Sequence, residues 1–198
     1  MAQFDANAPD GMLIAAALAG EGEAFALLVA RYQTALLNAA RSRMGQRELA
    51  EEVVQETFLC AHRWLGTYDS QFSFRTWLWT ILLNQCARQA KREARSQVKG
   101  QKTGIRSQPA DRPLDLLLSR ETSERLQELL SQLPLMQADA LRLRFFGGLT
   151  FPEIAVAMGC SEAGAKHRVK HGLLKLGRWM KHPSDIARPA LNESGDVL

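Results

Sequence analysis

Apolar residues recur at three- and four-residue intervals along most of the chain, and no stretch of strand length alternates apolar with polar positions between turn signals. The pattern predicts an all-α fold with helices near 11–19, 22–43, 47–65, 73–93, 114–132, 135–146, 151–158 and 162–180. Phe25, Leu28, Tyr32 and Leu36 mark the inward stripe of the second helix, and Leu49, Val53, Phe58, Ala61 and Leu65 that of the third. Trp77, Leu78, Ile81 and Gln85 share one face of the fourth. The segment ARSQVKGQKTGIRSQPADRP, residues 94–113, loses the periodicity and collects Gly, Ser, Gln and Pro, so it reads as a linker. It separates a domain at 10–93 from a smaller one at 114–182; residues 183–198 form a tail expected to be disordered.

The sharpest local signal is LTFPEIAVAMGCSEAGAKHRVKHGLLKL, residues 149–176. Thr150 and Glu153 have capping-box spacing, and Pro152 is tolerated in the first turn. Ile154, Ala155 and Met158 form an apolar face, Gly159 suits a left-handed helix end, and Ser161 caps the next helix. That is a helix-turn-helix. In its second helix Ala165, Val169, Gly172, Leu173 and Leu176 should face the core. Ser161, Glu162, Gly164, Lys166, His167, Arg168, Lys170 and His171 lie on the start and outer face, where early residues would reach base edges and the cations phosphates. A solvated basic face is the bland alternative. His167 and His171 also have metal-ligand spacing, but no third ligand of suitable type lies nearby.

Charge sharpens this picture. Successive segments 1–83, 84–106, 107–132, 133–182 and 183–198 carry nets of −3, +6, −2, +5 and −2, which together make the chain's +4. Two separated basic zones suit two contacts along one polyanion. Three widely spaced cysteines, Cys60, Cys86 and Cys160, offer neither a disulfide framework nor a C-x-x-C metal site, so a reducing cytoplasm is expected. The apolar run Met12–Ala19 is too short to cross a bilayer, and no membrane insertion is expected.

In the N-terminal domain, Glu48, Glu52, Gln55, Glu56 and Leu59 occupy a face of the third helix too acidic for DNA, which suits a basic protein partner. Thr80, Asn84, Arg88, Lys91 and Arg95 form a stripe that suits a phosphate backbone, and Tyr68, Phe72 and Trp79 have rings that could stack on unpaired bases. Packing is the commoner role for each aromatic. No Asp/Glu cluster, Gly-rich phosphate loop or nucleophile with a base is present, so neither catalysis, a cofactor nor a small-molecule substrate is expected.

EEVVQETF, then FSFRTWLWTILLN, then LPLMQADALRLRFFGGLTFPEIAVAMGCSEAGAKHRV together resemble regions 2 and 4 of extracytoplasmic-function sigma factors of bacterial RNA polymerase. The resemblance covers about residues 10–180 in the family's order and spacing. It implies a promoter-specificity subunit that recruits core polymerase, through the β′ clamp helices and the β subunit, and aids promoter melting. It assigns Glu48, Glu52, Gln55 and Glu56 to polymerase docking. Loop Gly66–Phe72, with Tyr68 and Asp69, would capture a flipped base of the minus-10 element, while Trp79, Asn84, Arg88 and Lys91 support that element. The second helix of the helix-turn-helix would read the minus-35 element, and an anti-sigma factor would hold the chain inactive. SEAGAKHR departs from the family's usual S-x-G-T-V-K-S-R at Ala163, Gly164, Ala165 and His167. The competing readings are a LuxR-like activator binding duplex DNA without polymerase, a helical nucleic-acid enzyme, and a purely protein-binding adaptor.

Overall fold

The computed structural model describes residue 5 and residues 7–98 and 125–181, and among these every regular element is helical. Four helices form the first half: α1 (Asp10–Leu18), α2 (Gly22–Met44), α3 (Arg47–Arg63) and α4 (Phe74–Val98), with a 3₁₀ turn at Leu65–Thr67. The second half contains α5, seen over 125–132, then α6 (Leu135–Phe145), α7 (Phe151–Met158) and α8 (Glu162–Lys181). The rest of the expected 114–132 helix, residues 99–113 of the expected linker and the 183–198 tail lie outside the described residues.

Sequence explains the boundaries. Gly45 ends α2 at φ +71°, in the left-handed region that favours glycine. The third helix closes two residues before its expected end, and the chain passes into the 3₁₀ turn around buried Leu65. The fourth runs five residues beyond 93, because Glu93-Ala-Arg-Ser-Gln-Val contains no Gly or Pro to stop it. The expected linker therefore begins inside a helix.

The core of the first half is built from the inward stripes, with Leu13, Leu28, Leu36, Val53 and Leu78 almost fully buried. α2 packs on α1, α3 and α4; α8 packs on α6 and α7. At the edge of this core Asp10 ties α1 to α2 by accepting from Arg31 and Tyr32. Burial and then the Asp10 carboxylate push the Tyr32 hydroxyl well above the ordinary tyrosine range. In the second half Gly172 lies so close to α6 that a Cβ there would come within 2.9 Å of Leu141. The two halves also pack on each other, α7 against α4 and α6 against α2.

Candidate nucleic-acid interface

An open groove of about 800 Å³ runs between α2 and α3, with Phe25, Val29, Leu37, Val54 and Phe58 on its floor. Its rim is polar. Arg41 and Arg47 of the first half meet Glu51 at 3.5 and 2.7 Å, and Gln55 and His62 line the same edge beside Leu59, which is 51% exposed. Gln55, Glu52 and Glu56 are exposed as the helical period requires, but Glu52 already pairs with Arg92 of α4 at 3.2 Å. Glu48 is exposed at the start of α3.

The 66–72 loop is built around Tyr68. Its ring packs edge-on against Phe74 and beside Trp77, and its hydroxyl donates to the Phe72 carbonyl at 2.6 Å. Burial first, and then Asp10 and Asp69, raise the pKa of that hydroxyl. Asp69 accepts from the Gln71 N–H at 2.9 Å, a local turn, while the Phe72 ring is 44% exposed. Asn84, Arg88 and Lys91 are exposed on one face of α4, next to the half-buried Thr80. Trp79 is not on that face. It is 1% exposed against Gly147, where a Cβ would lie 2.9 Å from the indole, so it presents no surface for base stacking in this arrangement.

The helix-turn-helix has the caps its sequence dictates. Glu153 accepts from the Thr150 N–H at 2.8 Å, Thr150 Oγ1 accepts from the Glu153 N–H at 3.4 Å, and Gly159 ends α7 at φ +59°. Ser161 accepts from the Gly164 N–H at 3.1 Å, so α8 starts on a side-chain cap despite its glycine. Ala165, Val169, Gly172 and Leu176 are buried as expected, but Leu173 is 44% exposed. The helix turns 100° per residue, and Gly172 and Leu176 take the line of contact with α6, which leaves Leu173 on its flank.

Lys166, His167, Lys170 and His171 are exposed along one side of α8, with the two imidazoles stacked 3.9 Å apart. Lys166 pairs with Glu162 at 2.7 Å and lies over the Phe151 ring, and Arg168 is partly covered beside Met158. Among the described residues no group of three or more His, Cys, Asp or Glu could hold a metal ion, and no helix is long and apolar enough to cross a membrane.

A feature absent from the sequence expectations is the polar seam between the halves. Glu153 also accepts from Ser73 at 2.7 Å, Thr76 at 3.2 Å and Arg75 at 3.2 Å. Asp139 accepts from Arg43 and from Arg142, and Arg142 donates to the Ser42 hydroxyl and carbonyl at 3.1 and 2.8 Å. Burial lowers the Arg142 pKa and Asp139 opposes that shift. In the sequence the clue was residue type alone, an aspartate and an arginine three positions apart among Ala138, Ala140, Leu141 and Leu143, which does not name the partners on α2.

Comparison with known proteins bears on both halves. The family model for sigma-70 region 2 matches residues 28–96, and that for sigma-70 region 4 matches 123–176. The chain is 33% identical over 177 residues to the RNA polymerase sigma factor NccH of Alcaligenes xylosoxydans xylosoxydans, covering 84% of this chain and 92% of NccH. It is 30% identical over 169 residues to the ECF RNA polymerase sigma-E factor of Escherichia coli strain K12, covering 81% and 88%. Among solved structures, CnrH in complex with the cytosolic domain of CnrY superposes with a TM-score of 0.68 at 29% identity, over 89% of this chain and 98% of CnrH. The region 2 match leaves the stand-alone helix-turn-helix activator without support. With both regions present in order on an all-helical frame, the chain belongs to the sigma-70 family and is an RNA polymerase sigma factor of the extracytoplasmic-function type.

Proposed function

We propose that the α2–α3 groove with Gln55 on its rim, together with the exposed neighbour Glu56, docks the β′ clamp helices, that loop 66–72 with Asn84, Arg88 and Lys91 takes the minus-10 strand, and that the outer face of α8 takes the minus-35 duplex. A site on the second half for the β subunit completes the polymerase contacts. The carrying observation is the groove itself: an open apolar floor with an amide and charged rim. Apolar surface of this kind beside charged residues suits a protein partner better than DNA.

On the nucleic-acid side, Asn84 supplies both a donor and an acceptor for a base edge, and Arg88 and Lys91 follow it along α4 at phosphate-binding spacing. Lys166, Lys170 and the two histidines give α8 a duplex-facing surface with cations for phosphate and imidazoles for base edges. The chain works without chemistry of its own and in the cytoplasm. CnrH was solved with the cytosolic domain of CnrY; by that likeness a protein inhibitor, an anti-sigma factor, controls this chain too.

Run-off transcription with core RNA polymerase over a promoter library tests the assignment. Wild type should direct initiation from a defined promoter class, and Gln55→Ala/Glu56→Lys should lose holoenzyme assembly in a pull-down while the circular dichroism spectrum stays unchanged. Unaltered assembly would remove the groove rim from the polymerase contact.

A further inference from the structure

On the flank of α8, beside its line of contact with α6, an open groove of about 790 Å³ follows the helix from Phe151 and Lys166 to Lys181. Its floor is apolar. Leu173 and Leu174, 44% and 58% exposed, lie along it with Val169, and Gly177 has no side chain to fill it. Its rim is cationic: Lys166, Lys170, Arg178 and Lys181 are exposed there, and no Asp or Glu lines it. Lys166 pairs with Glu162, whereas among the described residues Lys170, Arg178 and Lys181 make no ion pair.

Exposed leucines and unneutralised cations on one stripe state the chemistry of an occupant, acidic side chains interleaved with aliphatic ones. A phosphate backbone would meet the cations and leave the leucines in water. The chain itself carries such a segment. Residues 183–198, PSDIARPALNESGDVL, set Asp185, Glu193 and Asp196 against the single cation Arg188 and intersperse Ile186, Leu191 and Val197.

Position favours this occupant as well. The segment follows Lys181, which lines the end of the groove, and Pro183 has no N–H to prolong α8. From Lys181 back to Lys166 is about 22 Å along the helix axis. Residues 183–198 span up to about 55 Å when extended, so they reach the whole groove with length to spare. A short tether also gives an effective concentration on the order of millimolar, at which a contact too weak to form between separate molecules is made within one.

We propose that the α8 groove is the docking site of the chain's own acidic segment 183–198, with Ile186 and Leu191 seated on the leucines and the carboxylates on Lys166, Lys170 and Arg178. Lys166 and Lys170 also belong to the face assigned above to the minus-35 duplex, so docking and duplex binding compete, a consequence that rests on that assignment. The apparent affinity for duplex then scales with the fraction of chains whose groove is empty.

The test uses the whole 198-residue chain as wild type and three variants: Ile186→Ser/Leu191→Ser, Asp185→Asn/Glu193→Gln/Asp196→Asn, and Leu174→Asn. A zero-length carbodiimide joins a carboxylate to an ammonium in contact, and mass spectrometry of the monomer band reads the links. Wild type should link the segment's acids to Lys166 and Lys170 well above Lys175, which lies on α8 outside the groove although nearer in sequence. The serine pair and Leu174→Asn should lose most of those links. Fluorescence polarisation with a labelled random-sequence duplex at low salt reports competition, and all three variants should bind about three- to tenfold tighter than wild type. The serine pair and Leu174→Asn change no charge, so a gain there is not an effect of net charge. If Leu174→Asn fails to fold by circular dichroism, the two segment variants decide, since they lie outside every described helix. Links spread evenly onto Lys175, links that persist in the serine pair, or links found only in a covalent dimer, where a second copy supplies the acids, overturn docking within the chain. Links without any gain in duplex affinity overturn the competition. If no form binds duplex, the minus-35 assignment of α8 fails, while the cross-links still judge the groove.

Discussion

Replacing Glu153 with glutamine removes the charge at which the capping box and the seam converge. The carboxylate accepts from the Thr150 N–H and hydroxyl at 2.8 and 2.9 Å and from Ser73, Thr76 and Arg75 across the seam. Burial alone would raise its pKa, but the Thr150 backbone bond and the bonds from Ser73, Thr150 and Arg75 outweigh it and hold the pKa at about 2. Against an ordinary value of 4.5, that depression corresponds to roughly 3 kcal/mol at neutral pH. The same bonds have the strength for it: a cap is worth about 1 kcal/mol and the charge-assisted bonds across the seam about 2 more. Because the folded-state pKa is the lower one, the stabilisation is complete above pH 4.5 and lost as pH falls through 2. Urea denaturation of wild type and Glu153→Gln should therefore differ by roughly 3 kcal/mol at pH 7 and by less than half of that at pH 3. A difference below about 0.5 kcal/mol at pH 7, or one that does not shrink on acidification, would falsify the charge-centred account.

Two glycines of α8 should respond in opposite directions: Gly172→Ala forces a methyl to within 2.9 Å of Leu141 and should lower stability by about 1–3 kcal/mol. Gly177→Ala meets nothing within 4 Å and should raise it by up to about 1 kcal/mol; thermal melts of the pair check both signs. Asn84→Ala should impair open-complex formation more than closed-complex binding, and permanganate footprinting that shows normal melting would count against its minus-10 role. Lys170→Ala should reduce the slope of log K against log salt by about 0.9 on any duplex if it neutralises one phosphate. His167→Ala should instead change the sequence recovered in a binding-site selection, at a cost of about 1–3 kcal/mol at one or two positions; an identical recovered motif removes His167 from base readout.

The parts legible in the sequence were those governed by neighbours along the chain. Thr150, Glu153, Gly159 and Ser161 specify two caps and a turn within twelve residues, and each does so in the structure. The periodic stripes placed Leu28, Leu36, Val53 and Phe58 inside for the same reason, since a helix fixes which positions share a face. Trp79 and Leu173 were placed on the wrong side because periodicity ranks faces within one helix and does not say which other helix arrives. Gly147 admits the Trp79 indole to the gap between the halves, and close approach of Gly172 to α6 turns Leu173 outward.

Arg142 shows why the seam itself stayed hidden. In LRLRFF an arginine between leucines reads as a stem lying on the core with its head in water, and a nearby aspartate as ordinary helix-surface charge. What engages both is α2: Ser42, one hundred residues from Arg142, takes two of its donors on hydroxyl and carbonyl, while Asp139 takes a third and accepts from Arg43 as well. Only a planar guanidinium can fan three donors toward partners on two helices at once; a lysine ammonium concentrates its donors at a single point. Residue type was thus a clue without an address, because the demand for a fork is local and the acceptors are not. The same holds for Glu153, whose capping role fully explains its place in the sequence and so conceals that its second oxygen reaches Ser73. A side chain with one sufficient local role leaves no residue pattern for a second, distant one, and that second role is what joins the half that matches region 4 to the half that matches region 2.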